Sequence, residues 1–215
     1  LNYTCIRMEF TTLLTTLITA VSSVFVALIT AGYFRRLHDR NVENKSKKLL
    51  MVQIQKDELI HFTLREIRRK YNSDRVYILQ FHNGGTFYTQ SPMQRASVTY
   101  ERNSDGLERI TDRFQNILIS NYNWLLKETI ENRFFFNDVD QQIEDLPTKS
   151  LLKAYGNYAH SMVPIYDNSQ QLIATLSLSW VFSEIPTDWI EDDKFSIDFK
   201  TSLFNDANSL KTLLV

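Results

Sequence analysis

The chain has 215 residues, 43% of them apolar and 13% aromatic, with only five glycines and four prolines, so it can bury a core and does not have the composition of a disordered chain. A net charge of −1 hides an asymmetry: residues 35 to 70 carry eleven Lys or Arg against five Asp or Glu, whereas residues 71 to 215 carry twelve against nineteen. That acidic main body argues against nucleic-acid binding, and a single cysteine, Cys5, excludes a disulfide framework and cysteine-rich zinc sites.

A short tail, residues 1–9, precedes an uncharged run from Phe10 to Phe34. As a helix this run spans roughly 37 Å, enough to cross a bilayer with some tilt, and it reads as an uncleaved transmembrane helix in the inner (plasma) membrane. Thr11, Thr15, Thr19, Ser23, Ala27 and Ala31 recur every four residues and form a small, partly hydroxylated packing face. Such a face lets two membrane helices approach closely, which points to a homo-oligomer. Arg35, Arg36, Arg40, Lys45, Lys47 and Lys48 follow, against Arg7 alone before the run. By the positive-inside rule this places the C-terminal part in the cytoplasm, an orientation that a basic upstream segment would reverse.

Residues 35–54 read as a basic helical connector, a solvated stalk or a surface for anionic lipid headgroups. Leu50, Ile54, Asp57, Ile60 or His61, Leu64 and Ile67 approximate a helical stripe that Asp57 interrupts. From residue 55 to 215 the pattern is that of a separate α+β domain. Strands are expected at Val76–Phe81, Ala96–Glu101 and Arg133–Phe136, and helices at Ser120–Glu131 and Thr148–Tyr155, the latter closed by Gly156. Ser161–Tyr166 and Gln171–Val181 form a hairpin around Asp167-Asn168. Its second strand has one apolar face (Leu172, Ala174, Leu176, Leu178, Trp180) and one more polar face (Ile173, Thr175, Ser177, Ser179). A final helix carries Phe199, Leu203, Ala207, Leu210 and Leu214 on one side. Trp189 and Ile190, in an acidic proline-marked loop, offer a partner contact or cap a core.

His82, Asn83, Gly84 and Gly85 follow the first strand and make the strongest candidate site. Two readings stand: a shaped turn that the histidine fixes, or the rim of a ligand pocket. Tyr100 and Glu101 leave the second strand, where Glu101 either orients His82 or is an ordinary surface carboxylate. His160, before the hairpin, is a further ligand- or partner-binding candidate. Two histidines without a third ligand do not make a metal site, and the chain has no phosphate loop, nucleophile elbow, zinc-protease or dinucleotide motif. Neither an enzyme nor a cofactor is expected.

The order of elements resembles a GAF domain, a GAF/PAS-like antiparallel sheet flanked by helices. The resemblance covers about residues 55 to 215 and is carried by a leading helix running into "DRVYILQF", by "SMVPIYDNSQQLIATLSLSW" and by the closing amphipathic helix. Gln170-Gln171 stands where that family often has glycine. This resemblance implies a membrane-tethered, non-enzymatic sensor or regulatory module that takes a small ligand or a regulatory protein partner. A second resemblance, on "NYAHSMVPIYDNSQQLIATLSLSW" and on the layout of anchor, connector and small domain, is to the T-type holins of T-even-like phages; "HNGG" followed by "SVTYE" is similar to uncharacterised phage proteins. It implies a lysis protein whose anchor oligomerises to permeabilise the inner membrane, with its soluble domain in the periplasm.

Overall fold

The computed structural model describes residues 2–86, 92–132, 134–185 and 193–214. The chain divides into two units, Leu1–Gln55 and Lys56–Val215. One helix, α1 (Asn2–Lys70), contains residues 2–55 of the first unit and the start of the second. It carries no proline, and its one glycine, Gly32, leaves it unbroken.

In the first unit the described side chains are exposed, among them Val21, Val24, Phe25, Leu28 and Ile29. Among the described residues no helix is long and apolar enough to cross a membrane, so the transmembrane helix expected at 10–34 is not found there. The side chains described in that part are those of residues 16, 17, 19 and 21–36. Thr11 and Thr15, at the start of the expected packing face, lie outside them, whereas Thr19, Ser23, Ala27 and Ala31 are exposed. Thr19 Oγ1 donates to the Thr16 carbonyl at 2.9 Å and Thr30 Oγ1 to the Val26 carbonyl at 2.5 Å. These hydroxyls satisfy themselves on their own helix.

In the second unit six antiparallel strands form one sheet in the order β3-β2-β1-β6-β5-β4. They are β1 (Arg75–Thr86), β2 (Pro92–Asn103), β3 (Ile117–Leu118), β4 (Phe135–Phe136), β5 (Ala159–Tyr166) and β6 (Leu172–Trp180). Between β3 and β4 the chain makes a 3-10 turn (Ile119–Tyr122), a short helix α2 (Asn123–Lys127) and a π-turn (Glu128–Asn132). Two helices follow β4, α3 (Val139–Gln142) and α4 (Leu146–Ala154), and α5 (Asp193–Leu214) closes the chain.

Strand alternation divides the sheet into two faces, and both are covered. Val76, Ile78, Val163, Ile165, Ala174, Leu176, Leu178 and Trp180 point to one face. There they pack against Ile60, Leu64 and Ile67 of α1 and Phe199, Leu203, Ala207 and Leu210 of α5. Each side chain of this size buried fully contributes about 1.5–3 kcal/mol, so this core holds the two helices to the sheet. Polar contacts fix their register: Tyr71 Oη donates to Asp206 at 2.6 Å, Lys70 pairs with the same carboxylate at 2.7 Å, and the Trp180 indole donates to the Tyr71 carbonyl. Asp57, the interruption in the helical stripe, accepts from Tyr100 Oη of β2 at 2.7 Å, so the polar residue has its own partner on the sheet.

The first two strands are longer than the sequence suggests. β1 does not stop at Phe81 but continues to Thr86, and His82 and Asn83 pair with Arg95 and Gln94 of β2. The pair Gly84-Gly85 therefore lies within β1, at a register shift between Asn83 and Thr86, and not in a turn after the strand. Glycine inside a strand commonly marks such an irregularity, which is why it reads as a stop in the sequence. Trp189 and Ile190 lie outside the described residues.

Asn72, Gly106, Asn116, Gly156 and Gln170 have left-handed backbone, and two of them are informative. Gly156, at φ +74°, follows α4, and a Cβ there would lie 3.1 Å from Val181 Cγ1. Gln170, in the β5–β6 turn, has φ +60°, which explains physically why glycine suits that position. Gly156→Ala should therefore destabilise the domain by about 1–2 kcal/mol, while Gln170→Gly should stabilise it by about 0.5–1 kcal/mol. Equilibrium urea unfolding of the two variants, read against wild type, measures both signs.

Candidate functional site

The second face of the sheet carries a polar lattice under an apolar cover. Cross-strand pairing sets two adjacent rows. One runs Phe136, His160, Ser179, Arg75, Asn103, and the next runs Met162, Ser177, Tyr77, Glu101. Of the more polar face of β6 noted in the sequence, Thr175, Ser177 and Ser179 are each at most 1% exposed, while Ile173 is half-buried.

Arg75 is the centre of this lattice. Its guanidinium is 1% exposed, and its Nε lies 3.4 Å from Glu101 Oε1, also buried. Nη1 donates to Asn157 Oδ1 at 3.3 Å and Nη2 to the Glu108 carbonyl at 3.0 Å. Burial lowers the Arg75 pKa from its usual value, against the opposite pulls of Tyr77 and Glu101. Desolvation likewise pushes Glu101 up. Hydrogen bonds from Thr111 Oγ1, the Ile110 N–H, Asn103 Nδ2 and the Thr111 N–H together win, and its pKa is lowered. Glu101 therefore does two things: it balances the buried arginine and it ties the 110–111 segment to β2.

That segment covers a cavity of about 40 Å³. Arg75, Tyr77 and Leu79 of β1 and Met162 of β5 line it from the sheet. Phe114 from the β2–β3 connection, Ile117 of β3, Leu125 from α2, and Leu151, Leu152 and Tyr155 at α4 complete most of its wall. Asn157 places a second polar group beside Arg75. A separate surface groove of about 450 Å³, at the other end of the same strands, is lined by Phe81, His82, Gln94, Gln171 and Leu172 among others.

The candidate residues fall into different places. His82 lines the surface groove, and its Nε2 lies 2.9 Å from Ser97 Oγ, which itself accepts from the Asn116 N–H. Glu101 does not face His82; its strand partner is Tyr77. Tyr100, one residue earlier, points to the opposite face, where its ring meets His61 edge-on at 5.5 Å, and hydrogen bonding to Asp57 adds to burial in pushing its pKa up to about 12. Asn83, Gly84 and Gly85 belong to the irregular end of β1.

His160 is fully buried and stacks on Tyr77 with ring centroids 6.3 Å apart. Its Nδ1 lies 3.4 Å from Ser179 Oγ, while Nε2 has no hydrogen-bond partner. Desolvation, then the Arg75 charge, pushes its pKa down to about 3, so it is neutral at physiological pH. Among the described residues no group of three His, Cys, Asp or Glu could hold a metal ion. Sequence reasoning passed over Arg75. The available signal was an arginine in register with Tyr77 and Leu79 in an otherwise apolar strand.

No family model matches this sequence, and no curated protein matches it. The fold does have solved relatives. The phycocyanobilin-bound GAF domain of a cyanobacterial phytochrome superposes with a TM-score of 0.54 at 15% identity, covering 74% of this chain and 85% of that one. The blue-light-absorbing form of the Thermosynechococcus elongatus PixJ GAF domain gives 0.53 at 14% identity, covering 74% and 86%. The green-light-absorbing state of NpR6012g4, a red/green cyanobacteriochrome, gives 0.52 at 16% identity, covering 73% and 92%. The fold is thus that of a GAF domain, an α+β sheet flanked by helices. The resemblance to T-type holins gains no support from these comparisons.

Two outcomes are expected from the buried lattice. Glu101→Gln leaves Arg75 without its counter-charge and should cost about 3 kcal/mol in urea unfolding. His160 gives a pH dependence whose sign follows from proton uptake. In the unfolded chain it takes up a proton near pH 6.5, and in the folded chain only near pH 3. The unfolded state binds more protons in that window, so stability is full above it and falls as pH drops through it, by up to about 1.4 kcal/mol per unit. His160→Gln should flatten the slope between pH 6.5 and 5, where Glu101 and Asp74, both with lowered pKa, remain ionised.

Proposed function

We propose that this chain is a membrane-tethered, non-enzymatic sensory module whose GAF-like domain takes a small ligand between the sheet and its α2–α4 side. The observation that carries this reading is the cavity on that face, walled by aliphatic and aromatic side chains around one buried guanidinium. Ligand sites are typically concave, mostly apolar and equipped with a few placed polar groups.

Phycocyanobilin, held by one of the structural neighbours, does not fit here. Pockets for drug-sized ligands run to ~300–1,000 Å³, and this cavity encloses about 40 Å³. The wall positions are filled by Phe114, Tyr122, Tyr155 and leucines, and no cysteine lies among them.

The tether rests on the uncharged run Phe10–Phe34 and on the exposed apolar side chains of that helix, which in water would be a costly surface. The basic residues 35–48 follow it directly and point around the whole helix circumference, as suits a helix passing through a headgroup layer into the cytoplasm. A tethered domain with no effector of its own acts through pairing, and the small-residue face Thr19, Ser23, Ala27, Ala31 provides a contact for a second copy.

Membrane extraction and cross-linking test these two parts. After carbonate washing of membranes from expressing cells, the full chain should stay in the pellet and a chain starting at residue 35 should not; recovery of both in the supernatant refutes the tether. The chain has one cysteine, Cys5, so oxidation of membranes gives an unambiguous disulfide-linked dimer. Ala27→Leu should reduce that dimer several-fold and Val24→Leu should not, because only the former adds bulk to the packing face. Equal cross-linking in all three would remove the pairing face.

A further inference from the structure

The chemistry of the cavity narrows its ligand. This step rests on the reading of the domain as a ligand-binding module. Arg75 is the only charged side chain among the cavity-lining residues, and Glu101, 3.4 Å behind it, already balances it. Glu101 is not free to yield. Asn103 Nδ2, the backbone N–H groups of Ile110 and Thr111, and Thr111 Oγ1 all donate to its carboxylate. An anionic ligand reaching Arg75 would therefore meet a fixed carboxylate beside it, and a cationic ligand would meet the guanidinium. Either would leave one buried charge without a partner, which a low-dielectric interior penalises strongly.

Shape and polarity restrict the ligand further. Free space of about 40 Å³ is room for about three waters; a single ring, which occupies an apolar cavity of about 150 Å³, enters only as the wall side chains move outward. Phe114, Leu125, Leu151, Leu152 and Met162 supply an apolar wall, while Arg75 and Asn157 are hydrogen-bonded to each other and form one polar patch. We infer that the cavity takes a compact, uncharged organic molecule, no larger than about a single ring, with an apolar body against the α2–α4 wall and one hydrogen-bonding group toward Arg75 and Asn157.

Isothermal titration of the full chain in lipid nanodiscs tests this with three single-ring probes: phenol, benzoate and benzylammonium at pH 7. Phenol should bind at least tenfold more tightly than either ion. Leu152→Phe, which fills the cavity, should weaken phenol at least tenfold while circular dichroism and melting temperature show a folded domain. Leu125→Phe serves the same purpose if the first variant does not fold. Binding of benzoate or benzylammonium as tightly as phenol, abolished by the filling variants, would overturn the uncharged class and leave the ligand-binding reading standing. Binding of no probe, or phenol binding unchanged in both filling variants, would overturn this inference and the ligand-binding cavity with it.

Discussion

A guanidinium and a carboxylate, each almost wholly removed from water, set the conditions for the rest of this domain. The Arg75–Glu101 pair lies on neighbouring strands of the sheet and under the segment that closes the cavity. Burying two charges is expensive, and their mutual attraction repays the cost only when the remaining donors and acceptors are satisfied. Asn157 and the Glu108 carbonyl take up the two Nη groups of the arginine, Nε faces Glu101 as an ion pair without a hydrogen bond, and the 110–111 backbone takes up the carboxylate. The β2–β3 connection is thereby bound into the fold by polar contacts, although its inward side chains, Ile110 and Phe114, are apolar. His160, beside Arg75, is kept neutral first by its burial and then by the same charge.

The two faces of the sheet do different work with the same strands. On one, aliphatic side chains interlock with α1 and α5 and supply most of the hydrophobic burial. On the other, alternation delivers Arg75, Tyr77, Ser177, Ser179 and His160 to the interior, where a small cavity remains. A second buried carboxylate, Asp74, secures the strand ends by accepting from the N–H groups of Val181, Phe182 and Ser183 at 2.7–2.8 Å. Adjacent acidic and basic residues at the head of β1 thus face separate tasks.

Much of the architecture was legible in the sequence because it is periodic. The alternation in residues 172–180 marked both faces of β6, and the three- and four-residue spacing of Phe199, Leu203, Ala207 and Leu210 marked the buried side of α5. Strand ends were less legible, since Gly84-Gly85 has the composition of a turn and lies within β1 between the paired residues Asn83 and Thr86. The site was least legible. His82 drew attention as a histidine beside glycines, and it lies on a surface groove with Ser97. Arg75 looked like an ordinary charged residue at a strand start. Its burial depends on Glu101, Glu108 and Asn157, residues 26 to 82 positions away, and no local pattern encodes that meeting.

Tyr100 and Glu101 are consecutive, and they face opposite sides of the sheet: the phenol reaches Asp57 under the helices, and the carboxylate reaches Arg75 under the cavity. A slip of β2 by one residue would exchange them. It would drive a carboxylate into the apolar core against α1 and strand the arginine without its counter-ion, at a cost far above what a neutral strand would suffer. A bulge at Thr99, between the pairs Ile78–Tyr100 and Leu79–Val98, is an invitation to such slippage. The buried charges thus act as a proofreading device for strand alignment, penalising the mispaired sheet while the chain is still folding.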